Sequence, residues 1–214
     1  MKRKYFSLLG IIAFFTVSTV QAQYSIPDGL GEAPSGHITF AQNKGQVQYA
    51  NNTMVPDISY ACQRFQLELY AHLNGKISFI NRTLDVANDP RSNQNVYRQD
   101  LQLVTSTEAF SEISADPIGS EKTQHVSQYY FADTLGDTGA AHYQRVVYEN
   151  AYPNIDLQVY SNAAGYKIYF VIHPGGDPDD ILIKFDGQDS IDVDSTKIAL
   201  FNNGLQLALG HALA

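Results

Sequence analysis

Residues 154–187 read NIDLQVYSNAAGYKIYFVIHPGGDPDDILIKFDG, and this stretch decides the fold class. Apolar and polar residues alternate in three separate runs, so one set of side chains lies on a single face of each extended segment. Pro174 and Pro178 interrupt the pattern, because proline lacks a backbone donor and fixes φ. The stretch therefore predicts three half-buried β-strands, whose apolar sets are Ile155, Leu157 and Val159, then Tyr166, Ile168, Phe170 and Ile172, and then Ile181, Ile183 and Phe185.

The same two-residue period recurs in short runs along the rest of the chain, at 65–71, 76–80, 126–131, 144–148, 197–201 and 205–209. Asn74-Gly75 and Asn203-Gly204 each separate two of these runs, and Asn-Gly favours the tight turn of a β-hairpin. Residues 88–95 and 133–141 are polar and are interpreted as loops, and no helical stripe of three turns is present. The sequence predicts an all-β, antiparallel, sandwich-like fold, and it leaves open a division into two packed subdomains.

The first 22 residues have the pattern of a cleavable signal peptide. Lys2, Arg3 and Lys4 form a positive start, residues 8–20 are almost wholly apolar, and Val20 and Ala22 suit a cleavage point after Ala22. The apolar run is shorter than the ~20 residues that cross a bilayer, and no later stretch is long enough. We expect a signal peptide at 1–22, a flexible segment at 23–36, and a β-rich module at 37–214 with a candidate division near 88–100.

Composition excludes some partners. The chain has 14 basic and 22 acidic residues, a net charge of −8 that becomes more negative once the leader is removed. An acidic surface repels phosphate backbones, so nucleic acid and anionic membrane are poor partners. Cys62 is the single cysteine and cannot form an internal disulfide. Its strand-like flanks predict a small buried apolar residue.

Asp137-Thr138-Gly139 matches the tripeptide of aspartic proteases, in which two carboxylates share a proton and activate water. In those enzymes the tripeptide follows an apolar strand, whereas here it follows the loop-like residues 133–136. The apolar strand ending in Gly-Arg-Asp or Gly-Arg-Asn that should come later is also absent. A solvated turn is the preferred interpretation, and a hydrolase through Asp137 is the lower alternative.

The histidines and aspartates offer weaker signals. None of the six histidines stands in a metal-binding or nucleophile-elbow pattern, so all are interpreted as surface residues: His37, His72, His125, His142, His173 and His211. Asp177, Asp179 and Asp180 lie together in a turn and are weak candidates for a structural calcium site, although the EF-hand spacing is missing. We expect no catalytic residue and no cofactor beyond this calcium alternative.

The chain has 14 tyrosines and no tryptophan. Carbohydrate-binding sandwiches stack sugars on aromatic faces, and tyrosine can serve in that role. Tyrosine is also a favoured strand residue, so core or scaffold positions explain the content equally simply.

Three segments together resemble a known family. FAQNKGQ at 40–46 resembles its FxxNxGQ opening, YQRVVYENAYPNIDLQVY at 143–160 resembles its YPxIDL core, and GYKIYFVIHPGGDP at 165–178 resembles its PGADP segment. The family is the N-terminal β-rich domain of exported Bacteroidota surface proteins. Those proteins often continue into SBBP-type repeats, PKD-like modules and sorting domains for type IX secretion or gliding motility. Asn154 stands where relatives carry glycine.

The resemblance implies a non-enzymatic module that serves adhesion, assembly or display at the cell surface, and that forms the N-terminal part of a longer protein. Its expected partners are downstream modules of the same polypeptide, other surface proteins, or glycans. A carbohydrate-binding module is the main alternative. We expect structural roles for the motif residues Phe40, Asn43, Gly45, Gln46, Tyr152, Pro153, Ile155, Asp156, Leu157, Phe170, Pro174, Gly175, Asp177 and Pro178.

Overall fold

The computed structural model describes residues 4–7, 14–18, 38–49, 53–63, 67–84, 94–106, 110–129, 138–162, 165–194, 197–202 and 205–212. The first seven strands are β1 (Lys4–Ser7), β2 (Phe14–Ser18), β3 (Phe40–Gln42), β4 (Ile58–Gln63), β5 (Leu67–His72), β6 (Lys76–Leu84) and β7 (Gln94–Leu103). The others are β8 (Pro117–Tyr129), β9 (Thr138–Tyr152), β10 (Ile155–Asn162), β11 (Gly165–Ile172), β12 (Leu182–Asp186), β13 (Ser190–Val193), β14 (Lys197–Asn202) and β15 (Leu205–Ala212). One turn of 3₁₀ helix spans Pro178–Asp180.

The prediction of an all-β, antiparallel, sandwich-like fold is confirmed. The strands form one curled sheet in the order β1-β12-β7-β6-β5-β4-β3-β9-β10-β11-β2-β15-β14-β13, and β8 pairs with the remaining edge of β9. β9 connects the strands from β1 to β3 in this order with the strands from β10 to β13. Its first half pairs with β3 and its second half pairs with β10. β6 and β7 form a hairpin across residues 85–93.

The core lies inside the curl and follows the alternation of the sequence. Ile155, Leu157 and Val159 of β10 are fully buried. The inward residues of β11 and β12 are buried as well, except Ile172, which is partly buried. β5 is buried on both faces, because Tyr70 packs with Ile58 and Ala61 in a second, smaller apolar cluster on the outer side. Cys62 is 1% exposed, which confirms the prediction of a small buried residue.

Buried tyrosines tie the two faces of the curl together. The Tyr166 hydroxyl lies 2.9 Å from the carbonyl oxygen of Cys62, and the Tyr148 hydroxyl lies 2.9 Å from that of His72. The Tyr152 hydroxyl lies 2.6 Å from the Leu182 carbonyl. Burial raises the pKa of Tyr152 to about 12, so its hydroxyl stays a protonated donor. Much of the tyrosine content is therefore core, where each ring is buried and its hydroxyl is satisfied.

The predicted Asn-Gly hairpins are confirmed. Asn74 and Gly75 join β5 to β6 with φ values of 58° and 67°, which suits the primed turn that matches strand twist. β14 and β15 pair as far as Asn202 with Leu205, which leaves a two-residue connection. At the β9–β10 turn, Asn154 has φ 57°. Asparagine tolerates this left-handed conformation better than most residues with a side chain, so it suits the turn.

Two loop predictions are wrong in part. The loop predicted at 133–141 ends early, because β9 begins at Thr138 and pairs there with Tyr129 of β8. The loop predicted at 88–95 also ends early, since β7 begins at Gln94. β8 itself starts nine residues before the run predicted at 126–131 and is mostly exposed. An exposed strand does not need an apolar face, so its period leaves little trace in the sequence.

Two strands come from the segment with the signal-peptide pattern. β1 pairs with β12, and β2 lies between β11 and β15, antiparallel to both. Cleavage after Ala22 would remove both strands and leave β11 and β15 without their shared neighbour. Among the residues described above, no helix is long and apolar enough to cross a membrane.

Candidate functional site

A polar groove of about 900 Å³ lies between β8, β9 and the turn that follows β3. Its apolar lining residues are Ile38, Ala41, Val47 and Ala61. Its neutral polar lining residues are Thr39, Gln46, Gln63, Thr123, Gln124 and Gln144. Its titratable lining residues are Lys122, His125, Tyr129 and His142. A lining that combines apolar side chains with several hydrogen-bonding groups is the usual make-up of a small-molecule site.

His142 is the most buried polar residue of the groove. Its Nδ1 lies 2.7 Å from the Thr39 hydroxyl, and its Nε2 lies 2.7 Å from the Ser127 hydroxyl. The His125 ring packs edge-on against it with ring centroids 4.4 Å apart. Burial lowers the pKa of His142, and the nearby His125 lowers it further. A neutral imidazole donates one hydrogen bond and accepts the other, so both hydroxyls are satisfied without a charge.

The turn that borders the groove is built by Asn43. The Asn43 side-chain amide donates to the carbonyl oxygen of Ile58 at 2.8 Å, and its oxygen accepts from the backbone N–H of Gly45 at 3.0 Å and of Val47 at 3.3 Å. Gly45 has φ 112°, which glycine adopts without a steric penalty. Gln46 donates to the carbonyl of Gln42 at 2.7 Å. The FxxNxGQ residues therefore shape one wall of the groove.

A second constellation joins an acid, a histidine and a serine outside the groove. Asp57 Oδ2 lies 2.9 Å from Nδ1 of His72, and Nε2 of His72 lies 2.8 Å from the Ser78 hydroxyl. Because the carboxylate can only accept, Nδ1–H of His72 donates to it. The Ser78 hydroxyl also bonds the Asp100 carboxylate, so that acid and Nε2 of His72 compete for its single hydrogen. This is the order of groups in a serine-hydrolase triad.

In the Asp57–His72–Ser78 chain the serine is buried and the acid is half exposed, whereas catalysis requires a serine that substrate can reach. Ser78 is 1% exposed, whereas the Asp57 side chain is 49% exposed. A substrate could reach the acid but not the nucleophile. The Ser78 oxygen also accepts from the Arg98 guanidinium at 3.1 Å, which fixes it in place. Burial lowers the pKa of His72 despite the contact with Asp57, so the folded chain favours the neutral ring more than an exposed histidine would. The chain of bonds is a structural brace between β4, β5 and β6.

A family described as a domain of unknown function, DUF7948, matches residues 40–204. That range includes the brace, the three motif segments and the described groove-lining residues other than Ile38 and Thr39. The chain belongs to the DUF7948 family. No curated protein and no solved structure matches it.

Two motif segments of this DUF7948 chain meet at one end of the sheet. Asp156 accepts from the backbone N–H of Asn150 at 2.8 Å and lies 2.9 Å from Nε2 of His173. The backbone N–H of His173 donates to the carbonyl of Asn154 at 2.8 Å. The YPxID turn is thereby attached to the segment that holds Pro174 and Gly175. These contacts explain the motif as a structural junction.

The aspartates of the turn at 177–180 cap a short helix. Asp177 Oδ1 accepts from the backbone N–H of Asp179 at 3.0 Å, at the start of the 3₁₀ turn. Across the described part of the chain, no group of three or more His, Cys, Asp or Glu side chains could hold a metal ion. Asp177, Asp179 and Asp180 therefore do not form the ligand set that the calcium alternative requires.

The structure corrects the interpretation of the histidines. His72 and His142 are buried, contrary to the expectation of surface residues, whereas His125 and His173 are exposed. The His72 ring bonds the Ser78 hydroxyl and the Asp57 carboxylate, and the His142 ring bonds two hydroxyls. These partners lie on or next to neighbouring strands and match no local sequence motif. Asp137 and His37 lie outside the described residues, and the His211 side chain does too.

Proposed function

We propose that the chain is a non-enzymatic module of an exported bacterial surface protein, which acts by binding in adhesion, assembly or display. Export is supported by the signal-peptide pattern of residues 1–22. A Bacteroidota surface protein is supported by the order of the three motif segments within the DUF7948 match. The burial and contacts of the described residues support binding rather than turnover.

The burial of Ser78 carries the non-enzymatic part of the proposal. At 1% exposure its hydroxyl cannot contact the scissile bond of a substrate. A nucleophile must come within about 3–3.5 Å of the atom that it attacks. In addition, the Arg98 guanidinium donates to the Ser78 oxygen and lowers the availability of its lone pair. The hydrogen bonds among Asp57, His72 and Ser78 instead stabilise the packing of neighbouring strands.

A carbohydrate-binding module is the second candidate, and the polar groove favours it. The groove combines apolar lining residues with glutamine, threonine and histidine side chains. Sugars present C–H faces and many hydroxyls, each of which donates and accepts. Neutral amides and hydroxyls match such groups without a cost in buried charge.

A turnover assay with the full chain tests the non-enzymatic proposal. Wild type, Ser78→Ala and Asp57→Asn are incubated with ester, peptide and glycoside substrates. We expect no turnover above background in any of them. Turnover by the wild type that disappears in Ser78→Ala, while circular dichroism shows a retained fold, would contradict the proposal. Turnover that disappears only in Asp137→Asn would instead support the hydrolase alternative.

A further inference from the structure

We propose that the polar groove binds a short acidic oligosaccharide, with a carboxylate of the sugar on Lys122 and the sugar hydroxyls on neighbouring neutral side chains. This inference rests on the proposed binding function and names its ligand class. Three observations on the described residues support it: the unpaired side-chain amides, the apolar lining residues together with the volume of the groove, and the charge of the lining.

Free amides supply the contacts to hydroxyls. Within the described ranges, Gln124 and Gln144 have no hydrogen-bond partner for their side chains, although both line the groove. Each amide offers two donors and two acceptor lone pairs. A ligand that only donates or only accepts would use half of this capacity. Sugar hydroxyls use all of it.

The apolar lining residues can pack against the C–H surface of a sugar ring. Ile38, Val47 and the two alanines present apolar surface, and Tyr129 stands on the β8 side. A volume of about 900 Å³ lies near the upper end of ordinary ligand sites. A short oligosaccharide therefore suits the groove better than a single sugar ring.

The charge of the lining selects an anion. The chain has a net charge of −8, yet none of the described residues that line the groove is an aspartate or a glutamate. Lys122 lines it and takes no ion pair within the described residues. The nearest acid in sequence, Glu121, is occupied by Arg145 at 2.9 Å. Acids elsewhere on the surface are screened at distances beyond about 8 Å in physiological salt.

A carboxylate fits better than a phosphate. Phosphate sites in proteins favour arginine forks or converging backbone N–H groups. Among the described residues, the groove lining contains one lysine and no arginine. A single ammonium group among neutral donors matches the dispersed charge of a uronic acid, and it is a poor match to a doubly charged phosphate.

Calorimetric titration of the full chain tests the inference. The ligands are tetragalacturonate and its methyl ester, which has the same skeleton without the charge. We expect the acid to bind up to about fivefold more tightly than the ester, as one ion pair to an exposed lysine gives. Lys122→Gln should abolish this preference, whereas Lys167→Gln, an exposed lysine outside the groove, should keep it.

Three outcomes overturn the inference. Equal binding of acid and ester would show a binding groove with another ligand class, and the proposed function would stand. A preference for the acid that persists in Lys122→Gln would place the contact elsewhere. Binding of neither ligand would remove the acidic oligosaccharide, while the turnover assay decides the proposed function separately. Lys122 is exposed, so loss of the fold does not complicate its variant.

Discussion

At the scale of single residues, Asn43 holds its turn with both ends of its amide. It is 7% exposed, donates to Ile58 and accepts from Gly45 and Val47. Asn43→Ala leaves these buried groups without a partner, so we expect a loss of about 1–3 kcal/mol in the free energy of unfolding. Chemical denaturation measures it. Gln48→Ala, an exposed change in the same turn, is the control and should cost little; an equal loss in both would contradict this account.

His72 makes stability depend on pH. Its pKa in the folded chain lies below the value of 6.5 for an exposed histidine, because burial disfavours the cation. As the pH falls below 6.5, the unfolded chain takes up the proton first, so stability that is present above 6.5 is lost on acidification. The pKa of His142 is also lowered, and it adds to the effect in the same direction.

Denaturation between pH 8 and pH 5 checks this dependence. We expect the free energy of unfolding of the wild type to fall by at most about 1.4 kcal/mol per pH unit for each histidine. His72→Gln should be less stable at pH 8 and should show a weaker dependence between pH 7 and pH 5. A steeper dependence in the variant would indicate that the folded chain binds the proton at His72.

At the scale of elements, Gly187 sets the approach of β12 to β7. It has φ 86°, and an added Cβ would collide with the carbonyl oxygen of Arg98. Gly175 has φ 94°, but a Cβ there meets only the Asn154 side chain at 3.5 Å. Alanine costs roughly 1–2 kcal/mol at either position because of φ. At Gly187 it costs roughly a further 1–3 kcal/mol, because the strands must separate. Equal melting temperatures for the two variants would contradict the clash.

β1 and β2 lead to a prediction about processing. If export removes residues 1–22, mass spectrometry of the secreted chain finds Gln23 at the start. β11 and β15 then lose β2, so backbone amides at 166–169 and 208–212 exchange faster with solvent in the processed chain than in the full chain. A secreted chain that begins at Met1, or unchanged exchange at these amides, would contradict the prediction.

The elements differ in how far the sequence reveals them. β10, β11 and β12 were predictable because each has one buried face, which imposes the two-residue period on Ile155, Tyr166 and their neighbours. β8 was predicted only near its end, because its pairing with β9 depends on backbone bonds, which any residue except proline can form. The brace was not predicted, because its three residues match no local motif, and only the pairing of β4, β5 and β6 places Ser78 and Asp57 beside His72.

At the scale of the whole molecule, the groove exists only because the sheet curls. Its walls come from four separate parts of the chain, at 38–47, 61–63, 122–129 and 142–144. The contact of Thr39 with His142 joins residues 103 positions apart. No window of the sequence contains such a pair, so the groove and the acidic character of its ligand could be argued only from the structure. The fold class, by contrast, was already fixed by local alternation.

The central claim is recognition in the groove without turnover, and one measurement tests it most directly. Two-dimensional NMR spectra of the ¹⁵N-labelled full chain are recorded during titration with tetragalacturonate, and the ligand signals are followed in the same tube for a day. We predict shifts at 38–47, 61–63, 122–129 and 142–144, with unchanged ligand signals. Shifts centred on Asp57, His72 and Ser78, or the appearance of cleaved sugar, would contradict the claim.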